Sequence, residues 1–409
     1  MRKENNLLME KIISLCKRRG FVFPGSEIYG GLAGTWDYGH LGNELLHNIK
    51  QSWWNKFVAT REDVYGIRAA ILMNTKVWEA SGHIAGFADP LENGEKFNTM
   101  FKTQVGAGEE AATSYLRPET AQGIFVNFKN TVDAFHPKLP FGIAQIGKAF
   151  RNEIAPRDFL FRQREFDQME LEYFVRPDEW HKFFEYWKDE MMEWMEEIGL
   201  DMKKIHDVEV AEGERAHYSQ HTVDFEFEYP FGQKELFGLA YRGDFDLKNH
   251  KLDYLNEESG ERIVPHVVEP TFGVDRAFLA LLLSAYIEDE LGGEKRAYLK
   301  LKPALAPIKV AVFPLLRNKP ELVEKAREIY INLKQEIPSI IFDDNGNIGK
   351  RYRRQDEIGT PFCVTIDFDT IDPSISSGQA TVTVRDRDTG KQERIKVEEL
   401  VGYIKNKLS

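Results

Sequence analysis

The chain has 409 residues, 42% hydrophobic and 29% charged, a composition that suits a soluble globular protein of two or three domains. A net charge of −12 excludes a protein coated along its length in nucleic acid, and no apolar run reaches the roughly 20 residues of a membrane span. The only cysteines, Cys16 and Cys363, give neither a metal cluster nor a disulfide framework, so a cytoplasmic location is expected.

The N-terminal stretch carries Lys3, Glu4, Glu10, Lys11, Lys17, Arg18 and Arg19 and lacks the apolar core of a secretory signal. An apolar stripe of Leu7, Leu8, Ile12, Ile13 and Leu15 predicts a helix over 6–19. Residues 24–40, rich in Gly and aromatics, read as a loop. Residues 41–58 read as an amphipathic helix whose Trp53, Trp54 and Phe57 suit either a core or a subunit interface. Strands are expected at 64–73, 141–151, 159–174, 221–229 and 236–241, and helices at 119–130, 178–197 and 273–288. The Met and aromatic stripe of 178–197 is read as core. This mixture predicts an α+β fold, an antiparallel sheet flanked by helices. Pro303 and Pro307 mark a seam, beyond which strands at 308–313, 339–342, 362–368 and 380–386 and helices at 320–335 and 397–407 predict a compact α/β domain. Ser376–Ser377–Gly378 reads as a turn. Residues 301–409 hold 18 Lys and Arg against 16 Asp and Glu, so the negative balance lies in the longer part.

The chemistry-bearing residues cluster in three stretches. In 145–174, period two puts Arg151 with Glu153 on one strand face and Arg162, Arg164, Phe166, Gln168 and Glu170 on another. Arg151 suits a phosphate and Phe166 a planar ring, although a surface hairpin with ion pairs fits the same pattern. In 267–282, Glu269 and Thr271 share a face, and Arg276 falls in the first turn of a helix, an anion site or simply an exposed arginine at a junction. Glu119 opens a helix in LRPET. Glu235 enters a strand as its edge or as a magnesium ligand, and Arg242 ends that strand. In the tail, KRYRR (350–354) and the group Arg385, Arg387, Lys391, Arg394 and Lys396 form basic clusters. The first reads as a loop that contacts RNA phosphates or as a solubilising turn.

LRPETAQGIF (116–125), FRNEIAPRDFLFRQREFDQMELEYF (150–174) and EPTFGVDRAFLALL (269–282) together resemble the homodimeric, class II glycyl-tRNA synthetase family. So do SEIYGGLAGTWDYGHLG (26–42), ILMNTKVWEASGHIAGFADPL (71–91) and IGKRYRRQDEIGTPFCVTIDFDT (348–370), and the resemblance covers nearly the whole chain. It implies a class II catalytic domain over 1–304, with a dimerisation segment at 41–73, and an anticodon-binding α/β domain over 305–409. The implied activity is ATP-dependent attachment of glycine to tRNA(Gly) through glycyl-adenylate. By the same resemblance, Arg151 holds the α-phosphate and Arg276 the γ-phosphate end of ATP. Glu153 contacts the adenine side, Phe166 stacks on the base, and Glu235 binds Mg2+. Glu119, Glu170 and Glu269 receive the glycine ammonium, Arg162 and Arg242 lie by its carboxylate, and Thr271 supplies a hydroxyl. Arg351, Arg353 and Arg354 touch tRNA. The implied partners are glycine, tRNA(Gly) and a second copy of the chain, with no membrane and no DNA.

Three features depart from the family pattern: Thr271 in place of the usual Ser, Arg68 in place of an acidic residue, and a short, cysteine-free segment 92–115 where no zinc site is expected. The alternatives are an adenylate-forming paralogue that charges no tRNA and a non-catalytic RNA-binding accessory subunit.

Overall fold

The computed structural model describes residues 2–91, 95–108, 111–372 and 379–408; the expected turn at 376–378 lies outside them. Seven strands build the central sheet: β1 (Val64–Gly66), β2 (Phe141–Phe150), β3 (Glu165–Val175), β4 (Ile205–Glu209), β5 (His221–Tyr229), β6 (Gly232–Gly243) and β7 (His266–Gly273). Their order is β4-β5-β6-β7-β3-β2-β1, antiparallel except for β1 against β2. The helices that pack around it are α1 (Arg2–Arg19), α2 (His40–Trp54), α3 (Ala121–Phe125), α4 (Trp180–Glu197), α5 (Phe245–Asn249) and α6 (Val274–Ala285).

Every residue of α6 except Arg276 and Ser284 is buried. A helix apolar on all sides belongs inside a core, and Arg276 is its charged exit. The stripe on α4 is core, as expected: Phe184, Trp187, Met191, Trp194 and Met195 are buried, and Trp194 packs edge-on against Phe272 at 5.3 Å. Trp53 and Phe57 join the same core against Phe272, so Trp53 is buried within one chain and its burial needs no second copy.

Several boundaries differ from the sequence reading. The ladder at 64–73 ends at Gly66, and 119–130 divides into α3 and a second short helix, Phe128–Phe135. Residues 151–164 are a loop between β2 and β3, closed by Arg151 N donating to Arg164 O (2.9 Å). Asp158 and Phe159 both take positive φ there, which no strand accommodates. The helix expected to reach 288 stops at Ala285. Tyr286 starts the hairpin β8 (Tyr286–Leu291) and β9 (Glu294–Leu299), whose Gly292–Gly293 turn has φ of 63° and 79°. Two positive φ values in a two-residue loop match the twist of the flanking strands, and glycine adopts them without steric cost.

A second sheet follows: β10 (Val310–Pro314), β11 (Ile340–Phe342), β12 (Phe362–Ile366), β13 (Thr381–Asp386) and β14 (Gln392–Lys396), ordered β11-β10-β12-β13-β14. It packs with α7 (Pro320–Glu336), α8 (Ile348–Ile358) and α9 (Leu400–Leu408), and most of these elements share a separate apolar core. The expected seam is packed rather than loose, since Leu299, Leu301, Leu305 and Ile308 are buried with the first core.

Candidate functional site

A cleft of about 300 Å3 opens over the centre of the seven-stranded sheet. Its lining includes Glu119, Arg151, Glu153, Arg162, Phe166, Glu170, Glu235, Glu269, Thr271 and Arg276. Antiparallel pairing brings these distant segments together: Thr271 of β7 faces Glu170 of β3, which faces Gln145 of β2 on its other side.

One end of the cleft is cationic. Arg151 donates from Nε to Pro118 O (3.1 Å), and its guanidinium lies 5.3 Å from the Phe166 ring centre and 5.4 Å from that of Phe87. Those contacts hold the fork in place while its other donors face the cavity. Arg276 lies 4.5 Å over Phe161 and pairs with the Glu235 carboxylate at 3.0 Å. Arg276 holds the Glu235 carboxyl below its ordinary value. Asp224, from β5, is a cleft residue absent from the sequence reading. Burial, helped by Glu235, pushes its carboxyl up to about 7. Arg162, expected by the substrate carboxylate, pairs with Glu153 in the Arg151 loop and belongs to this end. Arg164 leaves the cleft altogether and ties the loop to Ala33 O of the glycine-rich segment.

The other end is acidic and closed. Glu170 accepts from the hydroxyls of Thr120 and Thr271, so Thr271 orients a carboxylate. Glu119 is held by His83 Nε2 and Gln122 Nε2, each at 3.2 Å. Burial alone raises a carboxyl, but His83 and Arg242 bring Glu119 below its usual range. Glu170 and Glu269 go the other way, both raised by burial first. Arg242 partly offsets the rise in Glu269, and Glu119 adds to the rise in Glu170.

Arg242 is placed differently from its expectation. It is fully buried beneath the cleft, with Nε and Nη2 on Asp246 (2.7 and 2.9 Å) and Nη1 on Glu269 (2.9 Å). With its donors spent on two carboxylates and Tyr218 stacked on it at 3.6 Å, it supports Glu269 and does not meet a substrate carboxylate. No sequence pattern marks Tyr218, which sits in the loop before β5, and His83 lies within a motif read only for its likeness.

A family model described as "tRNA synthetase class II core domain (G, H, P, S and T)" matches residues 101–286, and one described as "Anticodon binding domain" matches 309–407. The glycine--tRNA ligase of Caldanaerobacter subterraneus subsp. tengcongensis is 46% identical, with 98% of each chain covered. That of Clostridium tetani is also 46% identical over 98% of each. That of Thermus thermophilus is 44% identical over 98% of this chain and 99% of its own. The chain belongs to the glycine--tRNA ligase family. Its alignment with the Caldanaerobacter relative spans 463 positions against 409 residues here, so that family member is longer by insertions.

The C-terminal basic cluster differs from its expected form. KRYRR lies in helix α8, capped by the Asn347 side chain on Lys350 N (2.9 Å), not in a loop. Arg351 is 1% exposed and donates to the carbonyls of Pro314, Asp344 and Gly346, which removes it from the candidate tRNA contacts. Arg353 pairs with Glu294 and Arg354 with Asp343. Arg385 and Arg387 are likewise buried, on Asp356 and on the carbonyls of Gly359 and Leu301. Arg351→Ala therefore lowers stability by about 1–3 kcal/mol, because it leaves the buried Pro314 carbonyl and two half-buried ones without their donor. Urea unfolding followed by a C-terminal probe measures this; an unchanged midpoint contradicts the structural assignment.

Proposed function

We propose that the protein activates glycine with ATP and transfers it to tRNA(Gly). The observation that carries this reading is a single cleft with held arginines at one end and closed-in glutamates at the other. A nucleotide triphosphate needs the first and a small ammonium-bearing substrate the second. A glycine carboxylate oxygen bonds to the α-phosphorus while the bond to the pyrophosphate oxygen breaks, and pyrophosphate leaves with that electron pair. A terminal ribose hydroxyl of tRNA then attacks the activated carbonyl, and AMP leaves.

No protein nucleophile is required. Arg151 steadies charge on the α-phosphate, and Arg276, projecting from the N-terminus of α6, takes the far phosphates. Phe166 and Glu153 flank the base. Glu235, with Asp224 near it, offers the one or two carboxylates that Mg2+ takes from a protein, and the bound ion would neutralise phosphate charge.

Selection rests on size. One methylene is worth only about 1–3 kcal/mol by attraction, but every competitor of glycine is larger, so steric exclusion around Thr271 suffices without an editing domain. The test is ATP–pyrophosphate exchange with each amino acid, then charging of tRNA(Gly) by the same preparation. Glycine-specific exchange with charging is expected. Alanine activated as well as glycine sinks the steric account, and no exchange from folded protein with Mg2+ sinks the whole reading.

The remaining assignments follow from this reading. The catalytic domain is 1–304, and 305–409 meets the anticodon end. The chain works as a cytoplasmic homodimer through the region of 41–73. Leu72 in that region is a large apolar side chain 49% exposed, which a second copy could cover. A monomer in sedimentation at working concentration refutes the dimer. Among the described residues, no helix is long and apolar enough to cross a membrane.

A further inference from the structure

Arg296, on β9, is a buried cation far from the chemistry of the cleft: its side chain is fully enclosed, and its guanidinium carries five N–H donors. All five are spent. Nε and Nη2 hold the two oxygens of Asp289 on β8 (2.7 and 2.9 Å). Nη1 reaches Asp356 of α8 (3.2 Å) and the Arg387 carbonyl (2.7 Å), and Nη2 also reaches the Asp388 carbonyl (3.1 Å). Only Asp289 belongs to the same hairpin; the other partners lie in the C-terminal domain.

Further contacts close the same joint. Arg387 donates to Gly359 O (2.7 Å) at the end of α8 and to Leu301 O (2.9 Å) before the seam. Gly359 sits so close to that segment that a Cβ there would meet Leu301 Cδ1 at 2.9 Å and Leu299 O at 3.1 Å. On the outer side, Arg18 and Arg19 of α1 both donate to Glu357 of α8 (2.6 and 2.5 Å), and Lys11 of α1 holds Glu288 of β8 (2.7 Å). An interface between domains of one chain is ordinarily polar and loose. Here a rotation of α8 against β9 parts a buried guanidinium from a buried carboxylate, so the joint favours one angle.

We infer that Arg296 is a positioning residue for transfer to tRNA: its bridge to Asp356 fixes the C-terminal domain at the angle from which a tRNA held there delivers its 3′ end to the cleft. This rests on the tRNA-charging reading above. Helix α6 runs from Arg276 in the cleft directly into β8, and α8 carries Arg353 and Arg354 within one turn of Asp356. A tRNA that touches both domains is a two-site ligand. A fixed joint gives its 3′ end a high effective concentration over the cleft, and a loosened joint dilutes it. Adenylate formation uses the cleft alone and does not feel the joint.

The test measures three reactions of the full chain, for wild type, Arg296→Lys and Glu357→Gln. They are glycine-dependent pyrophosphate exchange, charging of full-length tRNA(Gly), and charging, with enzyme in excess, of an RNA hairpin that holds only the acceptor stem and 3′ end. Arg296→Lys keeps the charge and loses the fork, whereas Glu357→Gln loosens only the outer tie. The expected kcat/KM for full-length tRNA falls at least about tenfold in Arg296→Lys and about threefold in Glu357→Gln, while exchange and hairpin charging stay within about twofold of wild type. A residue that merely stabilises the fold lowers all three reactions together, and that result overturns the inference. Full-length charging within about twofold of wild type in Arg296→Lys overturns it as well. If Arg296→Lys fails to fold, Glu357→Gln decides. A wild type that neither exchanges glycine nor charges tRNA defeats the functional reading and this inference with it, whereas an active wild type with unaltered variants defeats the inference alone.

Discussion

Arg151→Ala lowers glycine-dependent pyrophosphate exchange by about three orders of magnitude, or roughly 4 kcal/mol of transition-state stabilisation. The side chain makes one hydrogen bond to the protein, to Pro118 O, and is otherwise held by the Phe87 and Phe166 rings. The loss therefore falls on catalysis, and the unfolding midpoint moves little. Arg151→Lys keeps the charge but not the flat fork or its stacking between two rings, so it recovers only a small part of the rate. Single-turnover adenylate formation is the decisive measurement. A loss confined to the KM for glycine would place Arg151 at the wrong end of the cleft.

Arg242→Leu acts on stability. It strands Glu269 and Asp246, both buried, without their cation, at a cost of about 3–5 kcal/mol. The pH dependence carries a definite sign. Without the guanidinium, the folded-state pKa of Glu269, already raised by burial, rises further above its unfolded value. Folded protein then binds more protons, and stability falls as pH rises through those values. Arg242→Leu is thus closer to wild type near pH 5 than at pH 8. Glu269→Gln placed in the same chain restores part of the loss by removing one stranded charge. Chemical denaturation at both pH values checks both statements, and a uniform loss at every pH refutes the electrostatic account.

The floor of the cleft was readable in advance because it obeys strand alternation. Phe166, Gln168 and Glu170 recur every second residue in a true ladder and line the cavity together. Arg151, Glu153, Arg162 and Arg164 mimic that period without a ladder beneath them. Their loop is set by backbone bonds from Arg151 N to Arg164 O, Asn152 N to Thr99 O and Arg164 N to Gly34 O and by two positive φ values, none of which leaves a periodic trace. Glu172 has no role in the sequence reading. β3 is buried without interruption from Asp167 to Val175, covered on both sides. The α8 helix did carry signals: Asn347 before it and Gly359, with φ of 81°, after it are ordinary helix-end residues. The basic run drew the reading toward a loop. The pairing of Arg242 with Glu269 and Asp246 joins three elements, and no local pattern encodes it.

The hairpin between the two sheets has a consequence for how such chains can be recombined. Helix α6, whose first turn carries Arg276, runs directly into β8. On β9, Arg296 is 4% exposed and bridges Asp289 of β8 to Asp356 of α8, where Arg385 also converges. A C-terminal module grafted at 305 would face Asp356 with a foreign hairpin and part a buried charge from its partners. Cut instead after Ala285, the hairpin travels with the module it grips, and the joint falls at the end of an apolar helix. The natural cassette for exchange among relatives is therefore 286–409, and the hairpin belongs by its chemistry to the piece that follows it.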